Sequence, residues 1–193
     1  MPRVKEFDEA EVLDQALELF RARGFKHTSF ADLVDELGVS RQSLYDTYGD
    51  KHALYQTALR RYLDRSLAGI RCKLEDTDLP VREAFAGFFE AMITGSCANG
   101  SPGCLMVNSM VELSPHDADT RALAQTHARE IEGIFVTRLS AAQRKGEIAK
   151  SKDPVALACF FYHTILGLAV ASRALGEKES LRQSARLTLQ ALD

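Results

Sequence analysis

The sequence is short of the features that would commit it to an unusual environment or chemistry. Its four cysteines, Cys72, Cys97, Cys104 and Cys159, fall at irregular spacings with no CxxC pair, so neither a structural zinc site nor a thioredoxin-like motif is present. The N-terminal stretch MPRVKEFDEAEVLD has no apolar run of the signal-peptide type, which predicts a chain kept in the reducing cytoplasm. Internal repeats, low-complexity tracts and alternating strand patterns are all missing. Positive charge is not in excess: 24 Lys+Arg face 27 Asp+Glu, the net charge is −3, and the pI is near 6.0. On its face that balance argues against nucleic acid as the main partner. No nucleophile stands at a recognisable spacing from a base, and there is neither a Gly-rich phosphate loop nor an acidic pair. The chain is therefore read as a non-enzyme that needs no cofactor and no metal.

What is present is helix. With 193 residues, 46% of them apolar, the chain can bury a sizeable core without disulfide or metal support. Apolar residues recur with helical period almost throughout, predicting an all-α protein of about nine helices. The first starts after the N-cap Asp8, carries Val12, Leu13, Ala16, Leu17 and Phe20 on one face, and stops at Gly24. The second has an S-x-x-D capping pattern at Ser29 and Asp32, repeats Phe30, Leu33, Val34 and Leu37, and ends at Gly38. Ser40 caps a third. Three short helices with a Leu37-Gly38-Val39 turn make a helix-turn-helix within the first fifty residues. From Asp50 a long helix reaches about Lys73, and further helices are predicted at roughly 80–95, 103–113, 118–145, 153–175 and 177–192. The expected domains are residues 1–50 and 51–193.

The third helix reads Arg41-Gln42-Ser43-Leu44-Tyr45-Asp46-Thr47-Tyr48. If Leu44 points into the small bundle, a rotation of 100° per residue puts Gln42 and Asp46 on the exposed face, flanked by Ser43 and Tyr45. Arg and Gln can each hydrogen-bond bidentately to base edges in a major groove, whereas Ser and Tyr hydroxyls suit phosphates. A polar surface helix with no ligand has the same pattern.

The residues Gly24-Phe25, Thr28-Ser29, Leu33-Val34, Leu37-Gly38-Val39-Ser40, Ser43-Leu44-Tyr45, Tyr48, Asp50-Lys51 and Leu54 resemble the N-terminal signature of the tetracycline-repressor-like (TetR) family of transcriptional regulators. The resemblance covers about residues 9–60. It implies a homodimeric regulator of double-stranded operator DNA, a repressor released by a small-molecule effector, whose paired recognition helices enter successive major grooves. Carried onto this chain it implies DNA contacts by Arg41, Gln42, Ser43 and Tyr45, phosphate contacts by Ser29 and Thr47, and a basic contribution from Lys51, with Thr28 and Tyr48 in the same surface. Three positions depart from the pattern. Tyr48 stands where relatives often have Phe, Ala31 where many have Arg, and Asp46 lies on the reading face, where it would repel phosphate yet accept from a cytosine amino group.

The charge objection is met by placement rather than amount. Residues 1–51 contain seven Lys/Arg and eleven Asp/Glu, so binding rests on Arg3, Lys5, Arg41 and Lys51 near the DNA, with Glu9, Glu11, Asp14 and Glu18 turned away.

Pro154 to Ser172 is free of formal charge and as long as a membrane span. His163, Thr164 and the Asp153-Pro154 helix start favour a soluble helix, and no membrane partner is expected. A helix apolar all round is buried all round, which in a chain this size calls for a partner subunit. The resemblance implies that this helix and the last one pair with their copies, and Phe161, Ile165, Leu168, Leu181 and Leu189 are the interface candidates. It likewise implies an effector pocket in the middle of the chain, for which Phe85, Phe89, Met92, Cys104, Met106 and Met110 offer an adaptable lining and Asn108, Tyr162 or His163 polar anchors. Core packing is the competing explanation for every one of these. A redox pair at Cys97 and Cys104, or metal sensing through Cys104, His116 or His127, lacks the basic cluster or ligand spacing it would need. Two alternatives stay open at this point: a helical small-molecule-binding dimer without DNA binding, and an all-helical enzyme.

Overall fold

The computed structural model describes residues 7–75, 77–97 and 102–193. Arg3 and Lys5, and positions 98–101 of the turn-rich loop, lie outside the described residues. Among those described there is no strand. The helices are α1 Glu9–Arg23, α2 Phe30–Leu37, α3 Arg41–Tyr48, α4 Lys51–Leu74, α5 Val81–Ser96, α6 Leu105–Glu112, α7 Ala118–Lys145, α8 Pro154–Ala174 and α9 Lys178–Leu189, closed by a 3-10 turn at Gln190–Leu192.

Helix starts follow side-chain chemistry. Asp8, Ser40, Asp50, Asp117 and Asp153 each accept from a backbone N–H of the first turn, and Ser29 with Asp32 forms a reciprocal capping box. Each such cap contributes about 1 kcal/mol. That matters most for α2 and α3, at eight residues each, because helices so short are marginal without caps and packing. Gly38 ends α2 at φ 63°, the left-handed position that favours glycine.

Two apolar cores result. The first joins α1, α2 and α3 to the N-terminal half of α4 and is closed from the other side by Leu105, Met106 and Leu113 of the α6 segment and Ala124 of α7. The second joins the end of α4 to α5, α7, α8 and α9. The expected boundary after residue 50 is therefore not a packing boundary: Leu54, Tyr55, Ala58, Leu59 and Leu63 belong to the head's core. A continuous helix carries both cores, so α4 is a rigid bridge between them.

In α8, Leu157, Ala158, Phe161, Tyr162, Leu168, Ala169 and Ser172 are buried within the protomer, so one side of this long apolar helix is ordinary core. That corrects most of the expected interface set. Phe161 is fully enclosed, and Leu168, Leu181 and Leu189 are also buried in the protomer's own core. Ile165 is partly buried against the same core and lines a cavity. The face of α8 that stays outside carries Ala156, Phe160, His163, Gly167, Val170 and Ala174, spaced by three or four residues along one side. Beside it, α9 exposes Ser180, Ser184 and Leu187.

The start of α7 is tied to α4. Asp117 accepts from Thr120 Oγ1 (2.8 Å) and bonds His52 Nε2 (2.7 Å), besides capping α7. The trio His52, Asp117 and Asp119 brings possible ligand atoms within 4.8 Å of one another, a closeness that the capping geometry accounts for. Burial pushes the Asp117 carboxyl up, but the bonds from His52, Thr120 and the α7 backbone outweigh it and hold the pKa at about 2, below its ordinary 3.8. Folding thus favours the charged form, whose contribution is complete above the ordinary value and is lost as pH falls toward about 2. Asp117→Ala is expected to cost roughly 0.5–2 kcal/mol at pH 7, the value of a lost cap, and to flatten the acid limb of stability against pH. Urea melts of both proteins from neutral pH downward check this; an unchanged acid limb would remove Asp117 from the account.

Candidate nucleic-acid interface and effector cavity

The buried Leu44 fixes α3 against the head and leaves Arg41, Gln42, Tyr45 and Asp46 exposed. Ser43 and Thr47 are half-exposed at the flanks. Gln42 Nε2 donates to Asp46 Oδ1 at 2.7 Å, one helical turn on. This pair holds the amide in place while its Oε1 and second N–H remain for other partners. The Tyr45 ring stacks on Phe30 of α2, with centroids 4.5 Å apart and planes 12° from parallel. The Arg41 guanidinium lies 5.3 Å from the same Phe30 ring centre. Phe30 thereby restrains two exposed side chains that would otherwise lose rotamer freedom only on binding.

Other expected contact residues prove to be holding the head together. Thr28 is fully buried and its hydroxyl donates to Gly24 O at 2.7 Å, so it cannot reach a phosphate. Lys51 Nζ donates to the carbonyls of Phe25 and Thr28 (3.0 and 2.9 Å) and sits 4.1 Å from the Phe25 ring centre. Its charge stays at the head's edge, with two of its three hydrogens committed to these carbonyls. Tyr48 Oη donates to Glu9 O at 3.0 Å, which uses the extra hydroxyl to lash α3 to the start of α1. Ser29 is the cap of α2, leaving its position exposed beside the α2 N-terminus.

Of the four α1 carboxylates expected to turn away from DNA, two are held by arginines within the head. Asp14 is gripped by Arg61 and Arg65 of α4, at 2.6 and 2.9 Å, and these hydrogen bonds hold its carboxyl far below the ordinary carboxylate range. Glu18 pairs with Arg21 at 2.8 Å. Both are thereby neutralised within the head.

In the body, a cavity of about 340 Å³ lies between α4, α5, α6, α7 and α8. Met92, Cys104, Met106 and Tyr162 line it as expected. Phe85 and Phe89 do not: both are enclosed in an aromatic cluster with Phe161, at centroid distances of 5.0 and 5.9 Å. Phe88, the neighbour of Phe89, faces the cavity instead. Met110 packs against the head's core, Asn108 donates to Pro102 O at 3.5 Å outside the cavity, and His163 is exposed on α8 with Nδ1 3.6 Å from Cys159 Sγ. Sequence reasoning missed Arg21, Tyr62 and His127, which bring polar atoms to the lining from α1, α4 and α7. Only the tertiary fold assembles residues so far apart. All four cysteines are free thiols.

The helix α6 lies between cavity and head. Its N-terminal residues Met106 and Val107 line the cavity. At its other end Glu112 accepts from the backbone N–H groups of Phe25 and Lys26, at 3.1 and 2.7 Å. Gly24 makes that grip possible, since it takes φ +81° and a Cβ there would stand 2.9 Å from Glu112 Oε2. Midway, the Ser109 and Tyr55 hydroxyls are hydrogen-bonded inside the head's core. One helix thus contacts both the cavity and the loop that orients α2 and α3.

This arrangement, a capped helix-turn-helix carried by a long shared helix on an α-helical body, matches known proteins along its whole length. Residues 12–58 match the family described as bacterial regulatory proteins, tetR family, and residues 72–188 match the tetracyclin repressor-like C-terminal domain. The chain belongs to the TetR family of transcriptional regulators. It is 32% identical over 195 residues to the uncharacterized HTH-type transcriptional regulator YezE of Bacillus subtilis (strain 168), covering 100% of both chains. It is 34% identical over 190 residues to the HTH-type transcriptional repressor ComR of Escherichia coli (strain K12), covering 97% of this chain and 90% of that one. Among solved structures, a cysteine mutant of the TetR family regulator CifR in complex with 26-bp double-strand operator DNA superimposes with a TM-score of 0.88. Its sequence identity is 25%, over 99% of this chain and 100% of that one. The reduced form of E. coli NemR has a TM-score of 0.84 at 19% identity over 93% of each chain, a likeness of fold. The head of this TetR regulator is thus a sequence-specific DNA-binding unit, and its body is the family's C-terminal domain.

Proposed function

We propose that this TetR regulator is a cytoplasmic, homodimeric repressor that a small molecule releases from its operator. The observation that carries the proposal is the exposed face of α3, where Gln42, held by Asp46, and Tyr45 and Arg41, steadied on Phe30, form one polar surface over the buried Leu44. Gln42 and Arg41 read base edges, and Ser43, Thr47 and Ser29 serve the flanking phosphates. Two copies read half-sites about one helical turn, roughly 34 Å, apart.

The dimer forms through the outer faces of α8 and α9. Phe160 and Val170 are about half exposed and Leu187 is 57% exposed in the protomer, on neighbouring helices, and Gly167 between them admits a close helix crossing. The cavity of the body takes the effector, and α6 with Glu112 transmits its occupancy to the head. In thermodynamic terms the ligand favours a state in which the two heads are not at operator spacing.

A gel shift with the DNA upstream of the protein's own gene tests the proposal. Because Lys51 gives two of its three hydrogens to backbone carbonyls, and Arg21, Arg61 and Arg65 are paired with Glu18 and Asp14, few head cations remain for phosphates. Log affinity should then fall with log salt at a slope well under the roughly −9 of a protein making about ten phosphate contacts. A slope that steep would overturn the placement argument, and no specific shift would overturn the repressor reading.

A further inference from the structure

Burial without partners marks one side of the cavity. His127 of α7 is 5% exposed, lines the cavity, and has both ring nitrogens without a hydrogen-bond partner. Arg21, reaching in from α1, is fixed by Glu18 and by Gly103 O (3.1 Å), and its guanidinium lies 5.5 Å from the Tyr62 ring centre. Its Nε is buried and unpartnered as well. Buried donors left unmade are costly and uncommon, and two of the residues that carry them line this one cavity, where a ligand's acceptor would gain their hydrogen bonds.

The lining states the sign of that ligand. Among the described residues it includes Arg21, His127 and the hydroxyls of Tyr62 and Tyr162, but no aspartate or glutamate. A cation would have nothing to pair with. Burial pushes the Tyr162 hydroxyl up to about 12, with Glu132 and Cys104 adding to it, so it stays a neutral donor. The rest is apolar, with Phe88, Met92, Ile131, Ile165 and Leu166 among the lining residues, and about 340 Å³ is near the small end of ligand pockets.

Resting on the reading of this cavity as the effector site, we infer that the effector is a small carboxylic acid with an aromatic or branched aliphatic body, its carboxylate bound by Arg21 Nε–H and the ring N–H of His127. A carboxylate offers two acceptor oxygens to two donors, and a charge-assisted bond is about twice as strong as a neutral one. It also supplies the counter-charge whose absence leaves burial free to lower the His127 pKa to about 4.

The experiment is calorimetric titration of the full-length protein with benzoate, phenylacetate, 4-isopropylbenzoate and 2-ethylhexanoate, each beside its primary amide. Wild type, His127→Phe, His127→Gln and the cavity-filling Ala91→Phe are compared after thermal melts confirm folding. At least one acid should bind wild type about tenfold or more tighter than its amide. That preference should vanish in His127→Phe, survive in part in His127→Gln, which keeps an N–H, and all binding should be lost in Ala91→Phe. Amides binding as well as acids, an acid preference indifferent to His127, or no acid binding at all would each overturn the carboxylate assignment. If the amides still bind and Ala91→Phe abolishes that binding, the cavity reading survives such a result. Binding untouched by Ala91→Phe would overturn both.

Discussion

Alanine at Gln42 is expected to lower specific operator affinity by roughly 30-fold to 20,000-fold. A bidentate base contact supplies roughly 1–3 kcal/mol, and a dimer loses it twice. Tyr45→Ala should fall in the same direction, because it removes both a contact and the ring that shares Phe30 with Arg41. Neither side chain is buried, so melting temperatures should stay close to wild type and non-specific binding should persist. Titration of operator and scrambled DNA by fluorescence anisotropy separates the two effects. Intact discrimination in both variants would remove α3 as the reading helix. Asp46→Asn sharpens the test: it keeps the hydrogen bond to Gln42 but removes the charge, and should relax any preference for a cytosine amino group on the reading face.

The second large effect concerns assembly. Aspartate at Phe160 or Val170 should convert the dimer to a folded protomer of 21.4 kDa, with operator affinity falling by orders of magnitude as the two heads are uncoupled. The same change at Phe161, its immediate neighbour but fully enclosed, should instead prevent folding, since an unpaired charge in an apolar core costs several kcal/mol or more. Sedimentation and circular dichroism together distinguish a folded monomer from an unfolded chain. A Phe160→Asp protein that still sediments as a dimer would place the interface elsewhere.

That contrast shows where sequence reasoning stops. Caps and glycines are local chemistry, and Asp8, Ser29, Ser40, Asp50 and Gly38 mark helix ends in the sequence as clearly as in the structure. The reading face of α3 was legible for the same reason: one buried anchor, Leu44, sets the phase of an eight-residue helix. In α8 no such phase exists. Nineteen uncharged residues look alike on every side, and which face meets the protomer's core depends on where α5, α7 and α9 stand. Hence Phe161 and Leu168 pointed inward while Phe160 and Val170 remained outside.

Non-local polar contacts were hidden as well. Thr28 and Lys51 fit the family motif, and the motif does not say that their polar atoms close the loop between α1 and α2. Cavity residues were legible where they came from the Met- and Cys-rich middle of the chain. Arg21 and His127 were not, since they lie more than a hundred residues apart and come to one cavity only when α1 and α7 pack around α6.

The central claim is that a symmetric pair of α3 helices reads DNA. Selection of bound sequences from a random double-stranded library, with wild type and Gln42→Ala in parallel, tests it most directly. Wild type should enrich an inverted repeat whose half-site centres lie about 10 base pairs, one helical turn, or a multiple of it apart, and Gln42→Ala should lose information at one symmetric position in each half. Enrichment of a single asymmetric site, or the same motif from both proteins, would contradict the account.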